Sequence, residues 1–172
     1  NFPPKMFEGS KLLEFGSGTG EHSLSYLKWG ADCTFVEMNQ KACSRSEKLF
    51  RKFAPDNKTF QILNKSLFDF SSDQQFDIVV SFGVIHHTGE KERAFELKAR
   101  NLKGGGFLVL GIGNSSGMFQ RNLQRTILYH LADNEEQIVS LANDIFSKFL
   151  DRAEKFGKRS RESIIYDNFV NP

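Results

Sequence analysis

The sequence predicts an α/β fold built on a doubly wound, mostly parallel sheet with a C-terminal helical extension. Three observations predict it. Five short apolar runs, at residues 12–15, 33–36, 59–63, 76–82 and 107–112, alternate with stretches of helical character. The first run breaks into three glycines within five residues, Gly16, Gly18 and Gly20, ahead of a polar, then amphipathic segment. The fourth, Phe76-Asp77-Ile78-Val79-Val80-Ser81-Phe82, is apolar almost throughout, as expected of an inner strand covered on both faces. Strands and helices in alternation imply right-handed crossovers between parallel neighbours.

Taken in order, residues 1–10 contain Pro3 and Pro4 and read as an irregular lead-in. The first strand and its glycine turn follow. Residues 21–29 read as a helix, with Gly30 suited to its C′ position. Cys33-Thr34-Phe35-Val36 is the second strand, closed by Glu37. Asn39 is placed to cap a helix whose apolar face is Ala42, Leu49, Phe50 and Phe53, and Pro55 ends it. The third strand is followed by a loop holding Asn64, Lys65, Ser66 and Leu67. After the fourth strand and Gly83-Val84-Ile85-His86-His87, Thr88 is expected to cap a helix running to about Leu102. Residues 103–106 read as a turn into the fifth strand. Beyond Asn114 the periodicity changes. Phe119, Leu123, Ile127 and Leu131 mark one helix, and a capping-box-like start at residues 133–136 opens another carrying Ile138, Ala142, Ile145, Phe149 and Phe156. Apolar stripes of this kind are expected to be buried on something. No strand is visible before Pro172. The expectation is a single domain over 1–172, with a core at 10–114 and a helical lid or extension at 115–172.

Bulk properties narrow the function classes. The chain has 172 residues, 39% hydrophobic and 26% charged, an ordinary soluble composition with room for a sizeable core. A net charge of +2 argues for neither a nucleic-acid partner nor an anionic membrane surface. Most of the 18 phenylalanines are expected in the core. No run reaches transmembrane length and no signal peptide is seen. Two cysteines, Cys33 and Cys43, make no disulfide framework, so a cytoplasmic setting is expected. With Asn1 in place of an initiator Met, the chain is expected to be a fragment or to lack an N-terminal segment.

The glycine turn carries the chemistry. Glycines let the backbone turn sharply and let a flat ligand approach without a Cβ in the way. A dinucleotide fingerprint, G-x-G-x-x-G, would need glycine at position 21, which is Glu21. The pattern is instead E-x-G-x-G-x-G, from Glu14 to Gly20. In this it resembles the class I S-adenosylmethionine (SAM)-dependent methyltransferases, whose fold is Rossmann-like. The resemblance covers residues 11–114. The family's sixth and antiparallel seventh strands are not visible beyond it, so either the chain stops early or helices replace them.

The resemblance implies a cofactor site made of Glu14, Phe15, Gly16, Ser17, Gly18 and Gly20 in the first motif. Glu37 stands where the family's strand-end acid accepts both ribose hydroxyls, a task suited to an acceptor-only, bidentate carboxylate. Met38 stands where a residue packs on the adenine. Ser66 replaces the family's usual Asp for the adenine amino group; Ser66-Leu67 backbone contacts could compensate, or Ser66 is an ordinary loop serine. Ser81 and Phe82 stand where the methionine end is lined. His86 and His87 are weak candidates for a base, since imidazole titrates near neutral pH, or are helix-entry residues with ordinary hydrogen bonds. Asn114 lies at the ligand-binding edge, and residues 166–172 loosely resemble a segment covering the acceptor pocket. The two histidines lack a third partner at metal-binding spacing, so no metal is expected.

The resemblance therefore implies transfer of a methyl group from SAM to a small-molecule acceptor. The region after the fourth strand lacks the Asn/Asp-Pro-Pro-aromatic signature of enzymes that methylate exocyclic amines of bases or glutamine. Two other functions remain open at this stage: a non-catalytic SAM-binding or scaffold domain, and a nicotinamide-dependent oxidoreductase on the same fold class.

Overall fold

A computed structural model describes residues 3–113, 117–157 and 160–170. The chain divides into two compact units, residues 1–112 and 113–172.

The first unit is the expected parallel sheet. Its strands are β1 (Lys11–Phe15), β2 (Asp32–Glu37), β3 (Phe60–Asn64), β4 (Phe76–Phe82) and β5 (Leu102–Gly111), in the order β3-β2-β1-β4-β5 with every pairing parallel. Its helices are α1 (Ser23–Lys28), α2 (Gln40–Phe53) and α3 (Lys91–Arg100). Alternation along β1 serves both faces. Leu12 joins a core with Tyr26, Leu27, Phe35, Phe50, Ile78 and Val80, while Leu13 and Phe15 join Val36, Phe70, Phe76 and Val79. All strands run the same way, so the loops after β1, β2 and β4 share one edge. The order reverses between β1 and β4, which is where such sheets open a crevice.

Several local expectations are corrected. The lead-in holds a 3-10 turn, Pro4–Phe7, whose Phe7 is buried against Tyr26 with ring centroids 5.5 Å apart. Residues 21 and 22 stay outside α1, which starts at Ser23. The buried face of α2 is Cys43, Ser46 and Phe50, and Phe53 is exposed, so the stripe sits one position round from the expected one. Thr88 caps no helix: its hydroxyl donates back to Ile85 O at 2.8 Å, closing a 3-10 turn (Ile85–His87), and α3 begins after Glu90. Residues 103–106 are not a turn but the bulged start of β5. Phe76 faces Leu102 and Ile78 faces Phe107, with Gly105 at φ +81° absorbing the extra length.

The second unit is helical: α4 (Phe119–Leu131), α5 (Glu135–Ile145), α6 (Ser147–Gly157) and α7 (Arg161–Ile165), then a π-helical turn, Tyr166–Val170. Its core is Leu128, Ile138, Ala142, Leu150, Ile164, Ile165, Phe169 and Val170. Asn134 caps α5 by accepting from Gln137 N, and the Gln137 side chain accepts from Asp133 N, a reciprocal arrangement at the expected place. The long helix expected over residues 138–156 is instead two, parting at Phe146, whose ring stacks on Phe169. The α4 stripe is a further correction. Phe119, Leu123, Ile127 and Leu131 are all exposed, as are Ile145, Phe149 and Phe156. Leu128, one residue and so about 100° round the helix from Ile127, supplies the buried contact instead. Asn114, Asn171 and Pro172 lie outside the described residues.

Candidate functional site

The three glycines are required for different reasons. A Cβ on Gly16 would sit 2.3 Å from Val84 Cγ2, so Gly16 lets the loop after β4 close on the loop after β1. A Cβ on Gly20 would meet Ser46 Cβ and Phe50 Cζ at 2.8 Å, so Gly20 lets the turn pack on α2. Gly18 has nothing within 4 Å of that position. Its φ of +55° needs glycine, and the space before it is open. The middle glycine is thus the one whose bare backbone faces available volume.

Glu37 ties this loop to the end of β2. Its Oε2 accepts from Gly18 N at 2.9 Å and its Oε1 from Asn39 N at 2.8 Å. Each carboxylate oxygen keeps a second lone-pair direction for another donor. Behind it, Asn64 Nδ2 donates to Glu37 O and Met38 O at 2.9 and 3.0 Å, fixing the backbone on which Glu37 stands. Met38 itself is 76% exposed, an apolar surface beside that carboxylate in sequence.

Glu14 lies deeper, on the β1 face turned toward α1. It is 4% exposed, and Ser23 Oγ donates to its Oε2 at 2.6 Å. Burial pushes its carboxyl up to about 7, the Ser23 hydrogen bond opposes this, and the Glu37 charge adds to it. Phe15 is fully buried on the opposite face, edge-on to Phe70.

Two serines at this edge have buried hydroxyls without a hydrogen-bond partner among the described residues: Ser17 in the glycine turn and Ser81 near the end of β4. An unsatisfied buried hydroxyl costs about 1–3 kcal/mol, so both are poised to gain from a polar ligand atom. Phe82, the next residue, is half exposed. Ser66 caps the short 3-10 turn Leu67–Asp69 by accepting from Phe68 N at 3.2 Å, and Leu67 packs into the core beneath. His86 and His87 share the turn after β4, ring centroids 4.2 Å apart, His86 half buried and His87 exposed.

The structure thus gathers Glu14, residues 16–20, Glu37 and Ser81 on adjoining strand ends of the first unit, with the histidine turn on the loop that touches Gly16. Ser23 was missed from sequence. Its signal was a serine three residues after Gly20, at the start of a helix, a place where a hydroxyl can reach back to the preceding strand. Among the described residues no group of three or more His, Cys, Asp or Glu side chains is arranged to hold a metal ion. Also among them, no helix is long and apolar enough to cross a membrane.

A family model described as a methyltransferase domain matches residues 13–110, more than half of the chain. The chain belongs to this family, the class I SAM-dependent methyltransferases. Among curated proteins, the mitochondrial ubiquinone biosynthesis O-methyltransferase of Schizosaccharomyces pombe is 26% identical over 156 residues, covering 91% of this chain and 55% of that protein. A highly reducing polyketide synthase of Phaeosphaeria nodorum is 29% identical over 116 residues, covering 63% of this chain and 4% of the synthase. The chain therefore spans about half of the one relative and a small part of the other. Among solved structures, a putative methyltransferase from Thermoplasma acidophilum superposes with a TM-score of 0.55 at 20% identity, covering 70% of this chain and 54% of that one, which supports the Rossmann-like fold.

Proposed function

We propose that this chain is the cofactor-binding part of a SAM-dependent methyltransferase, a methyl-transferring enzyme of class EC 2.1.1, acting on a small-molecule acceptor. The observation that carries the reading is the open space at Gly18, bounded by a carboxylate held in place by the same residue's N–H. Family membership supports it, and so does the donor set. Glu37 offers unused acceptor positions for two vicinal hydroxyls, Met38 an apolar surface for a flat base, and Ser17 and Ser81 hydroxyls that lack a partner.

SAM supplies, when bound, a methyl group already activated on a sulfonium, so the protein is not required to provide a strong nucleophile. The chain's own work is then positional. The turn over residues 16–20 and Glu37 orient the ligand, the Ser17 and Ser81 hydroxyls give it polar contacts at the strand ends, and Phe82 and the turn Ile85–His87 border the adjoining space. Holding reactants near attack distance and excluding water accounts for most of such a rate enhancement. Within this reading Phe15 and Leu67 support the site from the core, Ser66 shapes the adenine loop, and His86 and His87 are the candidates for taking a proton from an acidic acceptor. Residues 10–114 form the cofactor core and residues 115–172 a lid or extension. The free, buried Cys33 and Cys43 support a reducing, cytoplasmic setting.

Calorimetry with SAM, S-adenosylhomocysteine and NADH tests the cofactor. The adenosyl ligands are expected to bind and NADH not to. Formation of S-adenosylhomocysteine across a panel of hydroxyl, amine and thiol acceptors then tests catalysis. Binding without turnover on any acceptor would favour a non-catalytic SAM-binding domain.

A further inference from the structure

Glu14 is an acid in an unusual electrostatic setting. It is 4% exposed, and Ser23 Oγ, at 2.6 Å, is the one donor that reaches it among the described residues. The groups around it come from three elements. On α1, Ser23 is neutral, and Tyr26 is pushed up by burial and then by Glu14 itself, so its hydroxyl stays protonated. On β2, Phe35 is the strand neighbour, Cys33 is pushed up by burial and then by Glu14, and Glu37 adds a second negative charge. On β4, Val80 is the strand neighbour and brings no charge. Arg45 of α2 and His22, next to Ser23, act on exposed Glu21. The buried Lys98 packs over the ring of Phe15, on the other face of the sheet. Among the described residues, the charge that acts on Glu14 is therefore the anionic Glu37 and not a cation.

A buried carboxyl with one hydrogen bond and an acidic neighbour favours its neutral form until a positive charge arrives. The cofactor proposed above carries a sulfonium and, in common with S-adenosylhomocysteine, an ammonium on its amino-acid end, and the ammonium is the charge invoked here. We propose that Glu14 is a specificity-determining residue of this site, protonated in the ligand-free chain and ionising to the solvent when the cationic end of the ligand binds, so that affinity for cationic adenosyl ligands over uncharged nucleosides is linked to release of one proton. This inference rests on the cofactor reading. The balance is simple: the Glu14 O–H bond breaks, its proton passes to buffer, and the carboxylate keeps the electron pair opposite the ligand's positive charge.

The geometry explains why Ser23 is fully buried. Its hydroxyl donates to the ionised form and makes ionisation possible at neutral pH, where burial and Glu37 alone would hold the acid neutral further up the scale. It also explains why Glu37 does not take the same role. Glu37 already receives two backbone N–H groups, one on each carboxylate oxygen, whereas Glu14 receives a single hydroxyl.

The test is calorimetry of S-adenosylhomocysteine binding to the full 172-residue chain in buffers of different ionisation enthalpy, at pH 6, 7 and 8. Linkage with a free-state value of about 7 and an ordinary bound-state carboxylate gives about 0.9 proton released per ligand at pH 6 and about 0.1 at pH 8, with affinity rising about tenfold over that range. The ligand's own amine titrates nearby, so the quantity read is wild type minus Glu14→Gln, which keeps the shape and cannot ionise. Glu14→Gln is expected to lose this proton release. Ser23→Ala, in which the acid is untouched, is expected to move the release window to higher pH. Uncharged 5′-methylthioadenosine is expected to bind without releasing a proton in either protein. Binding of S-adenosylhomocysteine with identical buffer dependence in wild type and Glu14→Gln would overturn the proposal. Absence of heat with every adenosyl ligand would instead overturn the cofactor reading on which it stands, and the inference with it.

Discussion

Replacing Lys98 with methionine is expected to stabilise this protein at neutral pH. Lys98, on α3, has 0% exposure, and its Nζ reaches the Ala94 carbonyl, at 3.3 Å, and the Phe15 ring, 5.2 Å to the centroid. No carboxylate pairs with it among the described residues. Burial pulls its ammonium down from 10.5 to about 8. The unfolded chain therefore binds more protons than the folded one between those values, and stability rises with pH through that window. At about 1.4 kcal/mol per tenfold step, the gap amounts to about 3 kcal/mol of cost below pH 8, an upper bound since part is offset by local relaxation. Methionine has a similar shape and no charge to desolvate, so Lys98→Met removes that cost with little change in packing. Guanidinium unfolding midpoints and slopes at pH 7, 9 and 10.5 measure it. The variant is expected to be more stable by about 2–3 kcal/mol at pH 7, with the advantage falling to about 0.4 kcal/mol at pH 10.5, where the wild-type lysine is neutral when folded and half neutral when unfolded. Groups common to both chains cancel in the difference. Equal or lower stability at pH 7, or an advantage that stays constant to pH 10.5, refutes the reasoning.

Three further outcomes concern the glycine turn and Glu37. Gly18→Val places a branched side chain in open space at φ +55° and is expected to abolish S-adenosylhomocysteine binding in a chain that remains folded by circular dichroism; unchanged calorimetric affinity would remove the site from this loop. Gly20→Ala drives a Cβ to 2.8 Å from Ser46 Cβ and Phe50 Cζ, so it is expected to cost about 1–3 kcal/mol of stability, read as a lowered thermal midpoint. Glu37→Ala is expected to weaken cofactor binding by about 1.5–3 kcal/mol, and Glu37→Gln by less; parent-like affinity in both would place the ribose elsewhere.

Much of this was legible in the sequence because two signals depend only on neighbours along the chain. A buried strand must be apolar on both faces, so β4 was readable to its ends, and three closely spaced glycines announced a backbone that no other residue can follow. Caps and bulges depend on the third dimension. Thr88 looked like an N-cap because a polar residue preceded a helical pattern, yet its hydroxyl found the Ile85 carbonyl first. The run of glycines before β5 looked like a turn, while the pairing of Leu102 with Phe76 made it a bulge within the strand. The stripe on α4 is legible as helix but not as exposed, since periodicity shows which residues share a face and not which face a neighbour covers.

The least legible features are the buried charges, and they bear most on the site. Glu14 and Lys98 lie on opposite faces of the same sheet region, one against Ser23 and the other against Phe15. The glycine spacing marks Glu14 as a site residue but not as a buried acid, and nothing in its spacing distinguishes Lys98 from the exposed lysines of the sequence. Each bears a folding cost that a neutral residue would avoid, but the consequences differ. Lys98 meets a backbone carbonyl and an aromatic ring within the core, so its cost is removable without touching the ligand edge. Glu14 stands two residues before Gly16, on the face toward Glu37, where a cationic ligand would convert the cost into affinity. The two substitutions therefore separate a burden carried for ligand recognition from one that is only structural: Lys98→Met should raise stability and leave the proton linkage of binding intact, while Glu14→Gln should remove that linkage.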